Sequence, residues 1–447
     1  MSAPPRTRLL RRQPDVANDQ LWSVAWGSPS PGPRSGDPAR PDLEDEGDRD
    51  AGATPSVLRR GAGRVVCGSA DETVSFHGVG WADGAPGAAQ ALRCAVVPLS
   101  RAPGHALGAV SVDACSAGAD LGWPAEQDGV AGAVWPRDGD DAAPGPAHTG
   151  ADVVVTASMD ATLRAFAACP RTGVVRELGA LPLAPMRLWE TRLCPGGYRA
   201  VAAGGAGGDL IGVSLPTASA EALREAWRVD CCAAGAPRGD QAGAPDPSGL
   251  LGDGGTGGGL MAPPAGEPRF AVAVAVSPDG ARAAVGLRCG QIAVVDLAAD
   301  GGPRLLRRTP CHARPIRSLC FTADSRYLLS GSDDRYVHMS DADSGRVVEA
   351  FSGHQGWVLG VDTPGSSAAA VAAAGGAGGG GWGEWAASGG ADGRVRIWDV
   401  GRRAREPVAT LGDHGGHVWG CRWAPGGDAV ASVADDGGIC VHGVSAE

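Results

Sequence analysis

The sequence contains no lysine, so arginine supplies all 39 basic side chains among its 447 residues. Asparagine occurs only at Asn18, and tyrosine and phenylalanine occur three and five times. Because no apolar run is long enough to cross a bilayer as a helix, we predict no contact with a membrane. The first residues, MSAPPRTRLLRRQ, lack an apolar signal core, which favours a reducing compartment, although their arginines leave a transit peptide open.

The balance of charge is acidic, with a formal net charge of −11 at pH 7. The run DLEDEGDRD, from Asp42 to Asp50, carries part of this charge and is interpreted as a solvated loop, with a specific contact as the alternative. A nucleic-acid surface needs a basic patch, and no arginine cluster here is long enough to outweigh the acid. We therefore predict no direct contact with nucleic acid.

The twelve cysteines are scattered and include no C-x-x-C pair. Cys231 and Cys232 are adjacent, which suits neither a zinc ribbon nor a regular disulfide framework. The sequence therefore predicts no metal site and no cofactor.

One pattern recurs along the chain: a strand, a tight turn that contains aspartate, and a second strand. The turn aspartates are Asp71, Asp160, Asp334, Asp392 and Asp436. A loop histidine precedes four of them, at His105, His312, His354 and His414. The His312–Asp334 and His414–Asp436 spacings are both 22 positions. Two further units are degenerate, with Gly208 and Cys289 at the expected place of the aspartate.

Seven units with a period in the low forties, a loop histidine and a Trp-Asp ending are typical of the WD-repeat β-propeller. We therefore predict an all-β fold, a single seven-bladed propeller over residues 1–447, in which GRVRIWDV (Gly393 to Val400) is the third strand of one blade. The last unit lacks a fourth strand, and Arg6–Gln13 is expected to pair with it and close the ring.

Four Gly/Ala/Pro-rich insertions interrupt the units, at about residues 27–62, 114–150, 232–268 and 363–384. Because they have little to bury, they are expected to be disordered or loosely packed. Three fall between the first and second strands of a blade and lie on the bottom rim. The insertion at 232–268 falls between blades, on the opposite rim, so most of the top is predicted to be free for binding.

His354, Ser388, Asp392 and Trp398 stand at the spacing of a buried hydrogen-bond network in the sixth unit. The second unit offers His105, Thr156, Asp160 and Phe166, and the fifth His312, Ser330, Asp334 and Ser340. These residues resemble a hydrolase triad, but a triad occurs once per site and this set recurs in register. We therefore predict no catalytic residues and no enzyme, since no unrepeated acid, base and nucleophile supports an enzymatic or ligand-binding propeller.

The first strand of each unit begins with an apolar–x–small–apolar pattern whose second residue is expected near the top mouth of the channel. These residues are Trp22, Val110, Trp189, Val272, Arg317, Leu359 and Trp419. Tryptophan and arginine are enriched at protein-binding hot spots. The ring is therefore a candidate partner-binding site, although some of the tryptophans could simply pack between blades.

Five segments carry a resemblance to a known family: DQLWSVAWG, HALGAVSVD, HARPIRSLCFTADSRYLLSGSDD, GHQGWVLGVD and DHGGHVWGCRW. They resemble the WD-repeat subunits of the superkiller (SKI) complex, a family shared in animals and plants with the polymerase-associated factor (Paf) complex. WSVAWG, PIRSL and HVWGC are the most specific motifs. The first-blade loop histidine is replaced by Ala17, which departs from the family pattern.

The resemblance implies a non-enzymatic scaffold in nucleus and cytoplasm, a monomeric propeller within a hetero-complex. It implies that SKI partners are a tetratricopeptide scaffold and an RNA helicase that feeds the exosome in mRNA decay. It also implies Paf partners in transcription elongation and histone modification. In the family the propeller top receives a peptide with Gln, Arg and a bulky apolar residue, which implies a role here for Trp22, Trp189, Arg317 and Trp419.

A substrate receptor of a cullin-type ubiquitin ligase is the alternative function, because such receptors also use WD propellers. They tend to carry arginine two residues after Trp-Asp. In this sequence Val400 and Gly401 follow Trp398-Asp399, and Arg402 stands one place late. That spacing favours the scaffold over the ligase receptor.

Overall fold

The computed structural model describes residues 6–13, 20–27, 63–82, 93–103, 105–116, 152–168, 175–195, 199–205, 207–216, 222–232, 270–373 and 385–445. Within them, 28 strands form seven antiparallel sheets of four strands each. One short helix, α1 (Ala368–Ala373), lies in a connection within one of these sheets. Each sheet is one blade, so the predicted seven-bladed propeller is confirmed. The described residues contain no helix that is long and apolar enough to cross a membrane.

The blades follow one another along the chain, each running from its inner strand to its outer strand. The first three blades are β2 (Leu21–Trp26), β3 (Gly63–Ser69), β4 (Thr73–Ala82), β5 (Arg93–Pro103); β6 (Ser111–Ser116), β7 (Asp152–Ala157), β8 (Thr162–Ala168), β9 (Val175–Pro182); and β10 (Leu188–Leu193), β11 (Arg199–Gly204), β12 (Asp209–Ser214), β13 (Arg224–Asp230).

The fourth to sixth blades repeat this order: β14 (Ala271–Val276), β15 (Arg282–Leu287), β16 (Gln291–Asp296), β17 (Arg304–Pro310); β18 (Ile316–Phe321), β19 (Tyr327–Ser332), β20 (Val337–Asp341), β21 (Val347–Phe351); and β22 (Val358–Asp362), β23 (Trp385–Gly390), β24 (Val395–Asp399), β25 (Ala409–Leu411). The seventh blade contains β26 (Val418–Trp423), β27 (Ala429–Ala434) and β28 (Ile439–Ser445). GRVRIWDV therefore contributes β24, the third strand of its blade, as predicted.

The outer strand of the seventh blade comes from the start of the chain. β1 (Arg6–Gln13) pairs antiparallel with β28, with Thr7 opposite Val444 and Gln13 opposite Ile439. Arg12 donates to Asp436 at 3.0 Å across this pair. The predicted closure is confirmed, and it covers a sheet edge that would otherwise expose unpaired backbone groups.

The core lies between blades rather than in one central mass. Seven apolar clusters occur in the described residues, one at each interface between neighbouring blades. Because the middle strands are covered on both faces, every residue of β7 and β24 is buried, the polar Thr156 and Arg396 included. Trp398, for example, packs against Phe351 of the preceding blade with ring centroids 5.8 Å apart.

The hairpin turn between the second and third strands corrects one sequence alignment. The residue after each turn aspartate has a positive φ, as in Arg335 (77°) and Gly393 (72°). Gly208 has a φ of 74° and its N–H donates to Gly205, as the N–H of Gly393 donates to Gly390. Gly207, not Gly208, therefore occupies the place of the aspartate in the third blade. The error arose because a glycine-rich turn offers no side chain to fix the register.

The predicted insertions lie mostly outside the described residues. The prediction that they are disordered therefore concerns residues outside the described part of the chain. The strands that flank them agree with the predicted placement: three lie between a first and a second strand, and one lies between β13 and β14. Two insertion boundaries differ from the prediction. Residues 114–116 belong to β6, and residues 363–373 form a turn and α1, in which Ala369 is fully buried.

Candidate functional site

The structure brings together the four residues of the sixth-blade network. His354 Nδ1 lies 3.0 Å from Asp392 Oδ1, and His354 Nε2 lies 2.7 Å from the Ser388 hydroxyl. The Trp398 indole donates to the same hydroxyl at 2.8 Å. Asp392 also accepts from the backbone N–H of Gln355 at 2.9 Å. The network fastens the loop before the inner strand to the hairpin turn and to the third strand.

Burial and hydrogen bonding act in opposite directions on this network. Burial by itself raises the pKa of Asp392, but hydrogen bonds from His354 and the Gln355 N–H outweigh it and hold that pKa well below its usual range. Burial lowers the pKa of His354, and the bond to Asp392 opposes this shift. Arg396, a residue that sequence reasoning missed, completes the group with a contact to Asp392 at 2.7 Å.

The second and seventh blades hold variants of the same network. His105 Nε2 bonds Thr156 Oγ1 at 2.8 Å, while its Nδ1 bonds Thr162 at 2.7 Å and lies 3.3 Å from Asp160. In the seventh blade, His414 Nε2 lies 2.9 Å from Ser432, and its Nδ1 lies 3.3 Å from Asp436.

The fifth blade contains a different buried group. His312 bonds Asp334 and Ser330, each at 2.8 Å, but Ser340 replaces the tryptophan. The Cys311 sulfur lies 3.4 Å from the Ser330 hydroxyl, where the indole of the sixth blade would bond.

The side chains of Cys311, His312 and His338 lie close enough to suggest a metal site. The two imidazole rings are stacked, however, with centroids 4.0 Å apart and an interplanar angle of 9°. Their nitrogen lone pairs therefore point into parallel planes and do not converge on one ion as tetrahedral ligation requires. We interpret the group as core packing.

The hydroxyls of these networks are inaccessible to a substrate. Thr156, Ser330, Ser388 and Ser432 are each 0% exposed. Each hydroxyl is already bonded to its histidine, so the histidine–aspartate pairs orient turns and do not activate a nucleophile.

The second residues of the seven inner strands converge on one cavity at the top of the channel, of about 310 Å³. We call this set the channel mouth: Trp22, Val110, Trp189, Val272, Arg317, Leu359 and Trp419. Leu359 is buried, and the other six are half-buried. The structure therefore places all five predicted partner-binding residues, Trp22, Trp189, Arg317, Leu359 and Trp419, around a single opening.

The tryptophans of the channel mouth are held differently. The Trp22 indole donates to Gln20 Oε1 at 3.2 Å, and the Trp419 indole donates to Asp435. Trp189 meets Phe270 edge to face, with centroids 6.4 Å apart and an interplanar angle of 78°. These contacts fix large aromatic surfaces at the opening, which lowers the conformational entropy that the channel mouth itself loses when a partner binds.

Three further residues shape this surface and were missed by sequence reasoning. Asp333 receives two hydrogen bonds from Arg317, both at 2.7 Å, and Arg317 lies over the Trp357 ring at 5.6 Å from its centroid. Asp435 is the equivalent partner of Trp419. The signal was the doubled aspartate in GSDD and ADD, whose first member precedes the turn aspartate.

Buried carboxylates below the channel mouth join neighbouring blades. Leu193 N–H donates to Asp113 at 2.8 Å, Val274 N–H to Glu190 at 2.7 Å, and Trp423 N–H to Asp362 at 2.7 Å. Burial raises the pKa of Asp362 to about 7. The inner strands are sheet edges, so these side chains satisfy donors that have no strand partner.

A buried His–Asp–Ser/Thr network recurs in register in several blades around a channel. This recurrence identifies the type of repeat. The chain carries WD repeats. Its sequence matches the WD domain, G-beta repeat, over residues 303–341, 381–399 and 405–442. WD-repeat propellers are generally non-enzymatic and mediate contacts between proteins.

Similar proteins share only part of their length with the chain. Nuclear distribution protein PAC1 of Coccidioides posadasii is 32% identical over 130 residues, which cover 28% of this chain and 27% of that protein. WD repeat-containing protein SL1-17 of Schistosoma mansoni is 35% identical over 82 residues, 18% of this chain and 26% of that protein. Ribosome assembly protein 4 of Chaetomium thermophilum is 44% identical over 59 residues, 13% of this chain and 11% of that protein.

Proposed function

We propose that this WD-repeat chain is a scaffold subunit that binds short peptide segments of partner proteins at its channel mouth. The convergence of three tryptophans, one arginine and three aliphatic residues on one cavity carries this proposal. A few large anchors around a concave opening are the arrangement from which protein interfaces draw most of their binding energy.

Within this class, we propose the role of the WD-repeat subunit shared by the SKI and Paf complexes. The three most specific motifs of the resemblance each supply one residue of the channel mouth: Trp22 from WSVAWG, Arg317 from PIRSL and Trp419 from HVWGC. Specific motifs that supply residues of the binding surface support a shared partner more strongly than motifs in blade cores would, where packing alone constrains the sequence.

The proposal predicts two sets of partners. In the cytoplasm these are a tetratricopeptide scaffold and an RNA helicase, and in the nucleus the Paf subunits. The chain would act as one propeller within each hetero-complex, without direct contact to nucleic acid. A receptor of a cullin-type ubiquitin ligase remains the alternative function.

The test is to tag the chain in its own cells, purify it gently and identify the proteins that come with it. We expect the helicase and tetratricopeptide chains, the Paf subunits, or both sets. The double variant Trp22→Ala/Trp419→Ala should lose them. Trp227→Ala, on the outer strand β13, is the matched control and should retain them. Co-purification of a cullin adaptor without either set would favour the ligase receptor.

A further inference from the structure

A second concave surface lies beside the channel mouth, over the tops of the fourth to sixth blades. It is a groove of about 790 Å³ that shares Trp189, Val272 and Arg317 with the channel mouth. Phe270 and Trp357 line its sides. Trp357 is 51% exposed, one of three large apolar side chains with such exposure in the described part of the chain.

Three arginines project from the turns that border this groove. Arg288 and Arg335 lie in the hairpin turns of the fourth and fifth blades, and Arg314 lies in the loop before β18. All three are exposed. None of them has an ion-pair partner among the residues that the structure describes. We call these three residues, with the walls Phe270 and Trp357, the basic groove.

The two carboxylates in the basic groove are already bonded. Asp333 holds Arg317 by two hydrogen bonds of 2.7 Å, and Asp334 bonds His312 at 2.8 Å. Asp333 is matched by Arg317, so Asp334 is the one carboxylate of the groove lining that stands against the three bordering arginines. A local excess of positive charge remains on a chain whose net charge is −11.

The hairpin turn of the first blade carries the other sign. Asp71 and Glu72 lie in this turn, and Glu72 is exposed. Complementary potentials steer a charged partner, and like charges repel it. An anionic segment would therefore be attracted to the fourth to sixth blades and repelled from the first.

We propose that the basic groove binds an acidic peptide segment of a partner protein, with an apolar or aromatic anchor residue seated between Phe270 and Trp357. This inference rests on the proposed function as a peptide-binding scaffold and names the chemistry of a second segment. The arginines would pair with carboxylates of the peptide, and bidentate pairing would fix its direction.

A peptide fits these observations better than a nucleic acid. Nucleic-acid binding needs an extended track of cations along a phosphate backbone. Here three arginines surround one aromatic-walled groove, and the acidic hairpin turn of the first blade lies away from it. One apolar anchor with a few adjacent charges is the usual form of a short recognition segment.

The experiment selects twelve-residue peptides from a random phage-displayed library on the purified full-length chain. Parallel selections use Arg288→Glu/Arg335→Glu and, as the matched control, Arg403→Glu. Arg403 is exposed in the turn between β24 and β25, which the topology places at the bottom. Thermal melting of each variant shows that it is folded. The strongest wild-type peptide is then labelled and titrated by fluorescence anisotropy.

We expect peptides enriched in Asp and Glu beside an aromatic or large aliphatic residue. Their Kd should rise about 10-fold in the Arg288→Glu/Arg335→Glu variant and change less than about 2-fold in the control. Trp357→Ala should also weaken binding. Peptides without acidic enrichment, or equal affinity for the double variant, would overturn the proposal while leaving the Trp22/Trp419 test of the proposed function unaffected.

Two further measurements test other occupants of the basic groove, an RNA and a segment of this chain. A labelled ten-nucleotide uridine RNA that competes with the peptide and binds more tightly would replace the peptide with a nucleic acid. A variant with Asp42–Asp50 neutralised to Asn and Gln tests the chain's own acidic run. Much tighter peptide binding by that variant would assign the basic groove to an intramolecular segment and overturn the proposal.

Discussion

Cys311 and Ser340 face each other with sulfur and hydroxyl 3.5 Å apart, in the same register at which Gly353 and Trp398 meet in the next blade. A Cβ on Gly353 would lie 3.3 Å from the Trp398 ring, so the small residue before the loop histidine makes room for the indole. In the fifth blade the small residue stands on the third strand instead, and the side chain of Cys311 fills the space that Ser340 leaves.

This complementarity predicts a strong coupling between two substitutions in the fifth blade. Ser340→Trp alone should lower the free energy of unfolding by about 2–3 kcal/mol, because the indole overlaps Cys311. The pair Cys311→Gly/Ser340→Trp should recover at least about 1 kcal/mol of that loss. Urea unfolding of the wild type, both single variants and the pair measures the coupling. Simple additivity of the two single effects would contradict the relationship.

Removal of the sixth-blade aspartate should destabilise the fold strongly. Asp392→Ala leaves the buried His354 and Arg396 and the Gln355 N–H without their acceptor, and we expect a loss of about 2–4 kcal/mol. The control is Asp343→Ala, because the Asp343 side chain is 83% exposed and bonds Arg282 at 2.6 Å on the protein surface. That change should cost less than about 1 kcal/mol. Equal losses in denaturant titrations would mean that the network does not stabilise the blade.

Acidification should destabilise the second blade through His105. Burial lowers the pKa of His105 to about 4 from its ordinary 6.5, with Asp160 opposing the effect. Between these values the unfolded chain binds the proton and the folded chain does not, so stability is present above pH 6.5 and falls as the pH drops towards 4.

The difference between the wild type and His105→Gln isolates this effect. The wild type should lose up to about 3 kcal/mol of its advantage over the variant between pH 7 and pH 4. Unfolding free energies at four pH values in this range provide the measurement. Parallel pH profiles for the two proteins would show that folding does not lower the pKa of His105.

Deletion of residues 1–13 should open the ring. The edge of β28 would then expose its unpaired backbone groups, and we expect the melting temperature to fall by at least about 5 °C. We also expect concentration-dependent association, visible by light scattering after size exclusion. Deletion of residues 1–5, which precede β1, is the control. A monomer with an unchanged melting temperature after the longer deletion would show that the pairing of β1 does not hold the ring closed.

The sequence was sufficient for the elements whose local signals repeat. The turn aspartates Asp334, Asp392 and Asp436 occur in one register with their loop histidines, so their blades could be aligned by spacing alone. The third blade could not, because glycine fills its turn and Gly207 and Gly208 cannot be told apart without the backbone angle. The closing role of Arg6–Gln13 was predictable because the last unit lacked a strand.

The sequence by itself determined the number of blades, the closure and the identity of the residues around the channel mouth, because each follows from a periodic pattern that the backbone must obey. Only the tertiary structure decided which charges remain free. Asp333 neutralises Arg317, whereas Arg288, Arg314 and Arg335 border a common groove and pair with no carboxylate of the described residues. These residues come from different blades, and their pairing depends on how neighbouring sheets pack, which no local pattern encodes.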